Sequence, residues 1–489
     1  MKNFKACKLS SKRRKMMMSK LPDEILIDIL SRLSIKEAAR TSLVSRQWKS
    51  LWKFYAGSLD FDCDSETIVL LSNGKKRFVI EQPKFIDWVN QVLDALHQTR
   101  TIEQFRVCFD LGKDQTSTID SWIGYAAARK VRRLELSLPS MFAKDKKCKF
   151  FKYLREIYNF PTPDQLMNKN NNLRNLKSLI SLRLESVNVT DKHVSYFLSE
   201  FPFLEELSMA DAPYLRNLKV VGGGGQSLKL KHLELRYCME FRNLEVTAAA
   251  SNLASFIYAG PMINMIFQDV PQLSSVSLYS GNYWDVLVRD GFEGLPFPVL
   301  QLQMLTLDFG WMMSCYKFTC PEFPKLFPKL FPSLRQLELV LWMLDEGTVV
   351  FVASFLRASP YLHKLVLKYK IHPYHTVSMK KEDPKLELFH QELAKKGCKF
   401  ECLKEVEFLG WNGLKRDVEF VTHLIEASGS LERVTFDPCD PFRVGIMKGL
   451  PLSPDVVANE EDARNRARDL ESRLSPRTKL VVAPKCHCC

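Results

Sequence analysis

A spaced apolar pattern, LxxLxL or its equivalent, recurs from residue 102 to residue 436 and leaves the chain few choices of fold. Its units begin at Ile102, Val131, Leu179, Leu204, Leu230, Leu253, Leu273, Leu302, Leu334, Leu362, Leu403 and Leu431, with further apolar residues three and five positions on. First positions lie 20 to 32 residues apart, except for gaps of 48 and 41 that hold a degenerate repeat and a loop insertion. The last two apolar residues of a unit alternate as on a strand, and only a neighbouring unit can cover them. The spacing therefore predicts an α/β solenoid, with parallel strands on a concave face and mixed helices and short strands on the convex face.

The return path varies. Helical patterns at 191–200, 347–358 and 416–428 precede the next strand in some units. Between 204 and 273 they do not fit, and second triplets at Leu215, Leu218, Val220 and at Phe241, Leu244, Val246 predict short strands on both faces. Residues 60–84 read as short strands and turns, followed by an amphipathic helix marked by Phe85, Trp88, Val89, Val92, Leu93 and Leu96. Gly222 to Gly225 lacks the GK[ST] or Rossmann spacing of a phosphate cradle and reads as a turn.

The stretch LPDEILIDILSRLSIKEAARTSLVSRQWKSLWKF, Leu21 to Phe54, predicts three short helices. Pro22 opens the first, with Asp23 and Glu24 where the macrodipole favours negative charge. Ser34 and Glu37 form a capping-box pattern before the second, and Ser45 can cap the third. So short a domain carries a surplus of apolar surface. Spacing alone leaves two coverings open: the rest of the chain, or another polypeptide.

Three stretches resemble known modules. The LPDEIL opening, KEAARTSLVS centre and RQWKSLW close resemble a plant-type F-box, with Ser34 and Ile35 where that family often has Pro-Thr. The repeats resemble irregular leucine-rich repeats of plant F-box proteins. From Cys402, CLKEVEFLGWNGLKRDVEFVTHLIEASGSLERVTFDP resembles the FBD module, a strand, helix and strand expected to cap the solenoid. The expected organisation is a disordered basic arm at 1–18, F-box at 19–60, repeats at 61–398, FBD-like cap at 399–440 and a polar tail at 441–489 containing a solvated helix. The F-box resemblance implies docking on a Skp-type adaptor, and through it a cullin, by Leu21, Pro22, Ile25, Leu26, Ile29, Leu33, Ala38, Val44, Trp48, Leu51 and Trp52.

Net charge is +14, which first suggests nucleic acid. Eight Lys and Arg without an acid lie in the first 20 residues, however, and residues 21–450 carry only +5. The arm, with its KRRK run from Lys12 to Lys15, suits nuclear import or a solvated tail. The odd number of cysteines, 13, and the lack of an apolar segment after the basic start predict reduced thiols in nucleus or cytoplasm and no membrane span. Cys486, His487, Cys488 and Cys489 have no paired CxxC for a metal and a poor spacing for prenylation, so a reactive, unstructured end is expected. His372 and His375 read as a surface loop. No nucleophile with a base is legible, and neither an enzyme activity nor a cofactor is expected.

Within each strand, the residue between the last two apolar positions and the one after them point to the inner face. These are Arg106, Arg183, Arg236 and Lys368 against Glu135, Glu185, Glu234, Asp308, Glu338, Glu407 and Asp437, a mildly acidic surface. It argues against a nucleic-acid groove and predicts a basic or mixed protein ligand, read mainly through Arg183, Glu185, Glu234, Arg236, Asp308, Glu338 and Lys368. The resemblance implies the substrate-recognition subunit of a Skp-cullin-F-box ubiquitin ligase. The alternative is a ligand-sensing or scaffold repeat protein acting without a ligase; some relatives of this architecture hold an inositol polyphosphate, for which the inner face lacks a basic cluster.

Overall fold

A computed structural model describes residues 21–41, 43, 46–62, 75–96, 102–139, 157–168, 172–220, 227–279, 295–308, 331–341, 346–369, 400–439, 441 and 454–484. The basic arm, Val44, Ser45, the glycine run, His372, His375 and the terminal cysteines lie outside the described residues. The chain divides into two units, residues 1–215 and 216–489.

The first unit opens with helices Asp23–Ser31, Ile35–Thr41 and Arg46–Leu51. The expected capping box starts the second: Ser34 N–H donates to Glu37 at 3.0 Å, and Glu37 N–H donates to the Ser34 hydroxyl at 3.3 Å. The three helices pack on one another, burying Leu26, Leu30, Ile35, Ala38, Trp48 and Leu51. Burial of each large side chain contributes about 1.5 to 3 kcal/mol. Tyr55 then ties it to the strand that begins at Ser58, because its buried hydroxyl lies 2.8 Å from the Leu33 carbonyl and 2.9 Å from the Ser58 carbonyl. Burial, with Asp60 nearby, pushes that phenol up to about 12. Gly57 permits the approach, since a Cβ there would meet the Ser31 carbonyl oxygen at 2.1 Å. Tyr55→Phe is expected to lower stability by about 1 kcal/mol in urea denaturation, one hydrogen bond's share.

The unit's strands are β1 (Ser58–Asp62), β2 (Gln104–Cys108), β3 (Arg133–Ser137), β4 (Tyr158–Asn159), β5 (Ser181–Glu185), β6 (Val187–Asn188) and β7 (Glu206–Ala210). β1, β2, β3, β5 and β7 pair in that order, all parallel, while β4 pairs with β6. Phe105, Val107, Leu134, Leu136, Leu182, Leu184, Leu207 and Met209 all face the core, as the pattern predicts. Helices Lys75–Ala95, Thr116–Ala128 and Asp191–Glu200 contribute to the same core. Trp88 meets Phe61 edge-on at 5.3 Å, and the buried Trp122 indole donates to Asn90 at 2.8 Å.

In the second unit, β8 (Asn217–Val220), β10 (Asn243–Val246) and β12 (Asn264–Phe267) form one parallel sheet. The first two are the expected second strands, and β12 adds a third. Asn243 donates to Asn217 at 2.7 Å and Asn264 to Asn243 at 3.5 Å, a ladder that fixes the register. The other sheet runs β9 (His232–Arg236), β11 (Ser255–Ala259), β13 (Ser275–Tyr279), β14 (Met304–Asp308), β15 (Gln336–Leu341), β16 (Lys364–Tyr369), β17 (Glu405–Leu409), β18 (Arg433–Asp437) and β19 (Lys479–Val482), again parallel. Helices Glu346–Ala358 and Lys415–Ala427 lie where the periodicity places them.

The polar tail is corrected. Helix Pro454–Asp469 is not a solvated rod, for it buries Ala463, Arg464 and Ala467, with Leu470 buried just beyond its end, and β19 extends the sheet beyond β18. Few apolar residues mark this segment because its docking runs through polar groups. Arg464 donates to the Ala483 carbonyl at 3.2 Å and pairs with Glu460 at 3.3 Å, and the Trp411 indole donates to the Ala463 carbonyl at 3.2 Å. The strand, helix and strand from 405 to 437 are present as expected, but β19, not β18, is the last strand described.

Candidate functional site

The leading helices carry two adjacent stripes at i, i+4 spacing. Leu26 and Leu30 point inward; Ile25 and Ile29 form the other, with Ile25 48% exposed and Ile29 half-buried. Pro22 is exposed, and Leu21, Leu33 and Trp52 are half-buried. Of the expected docking set, Leu26, Ala38, Trp48 and Leu51 are buried within this chain. Two further apolar residues of the segment are exposed. Leu43 is 87% exposed in the turn after the second helix, and Phe54 is 40% exposed. Leu43 was legible as an apolar residue inside a polar turn; Phe54 carries no comparable signal.

On the open face of the first unit's sheet, Asp60, Arg106, Glu135, Arg183 and Ser208 stand in register on consecutive strands. Charges of opposite sign alternate along the first four. Arg106 reaches Asp60 at 2.7 Å, Asp62 at 2.8 Å and Glu135 at 3.0 Å. Burial works against its charge, but the bonds it donates to Asp62, Asp60 and Glu135 hold the guanidinium above its ordinary range. Arg183 and Glu185 are exposed, and Glu185 accepts from the Ser137 hydroxyl.

The adjoining row has a titratable link. Arg133, Ser181 and Glu206 align; Ser181 donates to Glu206 at 2.9 Å, and Arg133 reaches over it to the same carboxylate at 3.3 Å. Burial would raise the Glu206 carboxyl, but the Ser181 hydroxyl and Arg133 together hold it below its ordinary 4.5. A carboxyl lowered on folding stabilises above its unfolded value, and that contribution is lost as pH falls through the lower folded value. Glu206→Gln is therefore expected to reduce stability at pH 7 and to flatten the acid limb below about 4.5, checked by denaturation midpoints at pH 7 and pH 3.

In the second unit, Glu234 is buried and pairs with Arg236, whose guanidinium lies 5.4 Å from the Tyr279 ring centre. Glu338 pairs with Lys368 at 2.7 Å, and Glu407 with Lys364 at 2.7 Å. Burial, then Glu338 and Asp308 against Arg236, pushes the Tyr279 phenol up to about 12. Five of the seven principal candidates, Glu234, Arg236, Asp308, Glu338 and Lys368, are thereby organised on this sheet. The face is a set of paired charges around a tyrosine more than a single-sign groove. Tyr279 occupies the strand position of Arg236 and Asp308, and a reading restricted to charged residues passes over it.

Among the described residues, no helix is long and apolar enough to cross a membrane, and no group of three or more His, Cys, Asp or Glu side chains is placed to hold a metal.

Comparison with known proteins matches residues 18–54 to the F-box domain and residues 97–487 to the family described as At1g61320/AtMIF1, LRR domain. Neither is an enzyme domain. Curated relatives include the F-box/LRR-repeat protein At3g26922 of Arabidopsis thaliana, 31% identical over 39% of this chain and 58% of that protein. The putative FBD-associated F-box protein At5g56700 of the same plant is 30% identical over 39% of this chain and 45% of its own length. F-box/LRR-repeat protein At3g58900, also from Arabidopsis, is 28% identical over 59% of this chain and 85% of that protein. The chain thus spans less than two-thirds of the first two relatives' lengths. With an F-box ahead of parallel strands that keep the repeat spacing, the chain belongs to the At1g61320/AtMIF1 leucine-rich-repeat family.

Proposed function

We propose that this chain is the substrate-recognition subunit of a Skp-cullin-F-box ubiquitin ligase, acting in nucleus or cytoplasm. The F-box docks on a Skp-type adaptor through Pro22, Ile25, Ile29, Leu43 and the half-buried residues beside them, and the adaptor connects it to a cullin. The repeats recruit a protein target, with the paired charges around Tyr279 as the contact surface. One observation carries the reading: with Leu26, Leu30, Trp48 and Leu51 buried in the folded chain, Ile25 and Leu43 still stand at the surface. An apolar stripe that the chain has no need to bury for its own folding is what a docking partner uses.

The subunit's contribution is positional. Holding a target beside a ubiquitin-charged enzyme raises effective concentration and needs no nucleophile in this chain. Co-expression with a plant Skp-type adaptor tests it: the tagged wild-type chain retains the adaptor through purification, and Ile25→Asp with Leu43→Asp loses it. Equal retention by both would overturn the docking surface.

A further inference from the structure

We infer that a cavity between helices Lys415–Ala427 and Pro454–Asp469 binds a phosphoryl group. It has a volume of about 560 Å³, and Arg466, Arg473, His423, Thr422 and Glu419 line it. This site is separate from the F-box surface, and its test needs no adaptor.

The two guanidinium groups are anchored by neutral oxygens. Arg466 Nη1 donates to the Gly413 carbonyl at 2.6 Å, and Arg473 Nη1 donates to the Thr422 hydroxyl at 3.1 Å. That hydroxyl is itself held, donating to the Val418 carbonyl at 2.8 Å. Neither arginine forms an ion pair with a carboxylate among the described residues. Arg106, Lys364 and Lys368 on the sheets all do. Each anchored fork therefore keeps donors and its full charge while its position is set, which suits a planar, bidentate grip on oxyanions.

The backbone is arranged to bring them there. Gly413 has φ +63°, and a Cβ at that position would stand 3.3 Å from both Ala463 Cα and Arg466 Cδ. Glycine lets the last helix come close enough for Arg466 to reach the carbonyl. Within the lining, Glu419 opposes the arginines, and His423 is paired with Glu426 at 3.6 Å. Two fixed cations against one carboxylate favour a dianion with three acceptor oxygens over a single carboxylate.

The phosphoryl group can come from free phosphate or from a phosphorylated side chain of a polypeptide. Calorimetric titration of the full chain at constant ionic strength separates these, using sodium phosphate, a degenerate phosphoserine peptide pool and its unphosphorylated counterpart. Wild type is expected to bind phosphate saturably. Arg466→Gln with Arg473→Gln should weaken binding about tenfold or more, with the chain still unfolding cooperatively in phosphate-free buffer. Glu419→Gln should tighten it severalfold, a gain that a merely damaged fold cannot produce. Tighter binding of the phosphopeptide pool than of phosphate assigns a polypeptide source, and phosphate binding alone assigns the free anion; both support the site. Heats equal to those of sodium chloride, or an affinity that the double arginine substitution leaves unchanged, would overturn it.

Discussion

Truncation after Leu450 is expected to destabilise the second unit by about 4 kcal/mol or more and to open its last repeats to protease, instead of trimming an inert end. β19 is hydrogen-bonded to β18 along its length, so its loss turns a paired strand into an edge. The cut also removes the Ala463 carbonyl that accepts from the buried Trp411 indole. Exchanging that hydrogen bond for one to water costs about 1 kcal/mol. Baring part of Trp411, which packs on Phe436 at 4.7 Å and Phe408 at 5.5 Å, adds about 2 kcal/mol. Two further ties go with it, from Arg473 to Thr422 at 3.1 Å and from Thr478 to the Leu431 carbonyl at 2.7 Å. Thermal unfolding by circular dichroism, with limited proteolysis mapped by mass spectrometry, reads the effect. An unchanged unfolding temperature and no new cleavage between 400 and 440 would show the segment to be dispensable.

That segment also marks where the sequence is hardest to read. Strands whose core face is built of Leu, Val and Phe at fixed spacing announce themselves, which is why Leu134 and Leu136, Leu337 and Leu339, or Val434 and Phe436 can be placed from the pattern. The last helix buries alanines and an arginine, and its docking is carried by Arg464 and carbonyl oxygens, neither of which has a hydropathy signature. β1 is obscure for another reason. It lacks the leading apolar position of the repeat, and Tyr55, anchored by its hydroxyl, stands upstream of it. Helix Thr116–Ala128 is rich in small residues, so Ile119, Trp122 and Ile123 are not enough to separate it from a loop.

The exposed apolar stripe of the first helix was legible in part. A helical period places Ile25 and Ile29 beside Leu26 and Leu30 on one broad apolar face, and periodicity cannot say which of two neighbouring stripes turns inward. Packing decides it, since Leu26 and Leu30 are the buried pair of the first helix. On the sheets, alternation set the charged positions apart from the apolar core positions, yet the pairing of Arg106 with Asp60 and Asp62 depended on recognising β1.

The second large effect separates the two stripes. Leu26→Ala removes buried surface and leaves a cavity, at a cost of about 2 to 5 kcal/mol to the helical trio, and weakens any partner contact only through unfolding. Ile25→Asp acts the other way. Residue 25 lies in the first turn of its helix, where a carboxylate is compatible with the macrodipole, and Leu43 lies in a turn, so neither change strains the fold. At a docking interface, each is expected to cost about 2 kcal/mol or more of binding, the range of a buried apolar anchor.

The most direct measurement is the dissociation constant between the purified full chain and a purified Skp-type adaptor, determined beside the unfolding temperature of each variant. The predicted result is a loss of about 100-fold or more for Ile25→Asp with Leu43→Asp at an unchanged unfolding temperature. An adaptor affinity equal to wild type in that variant would contradict the account.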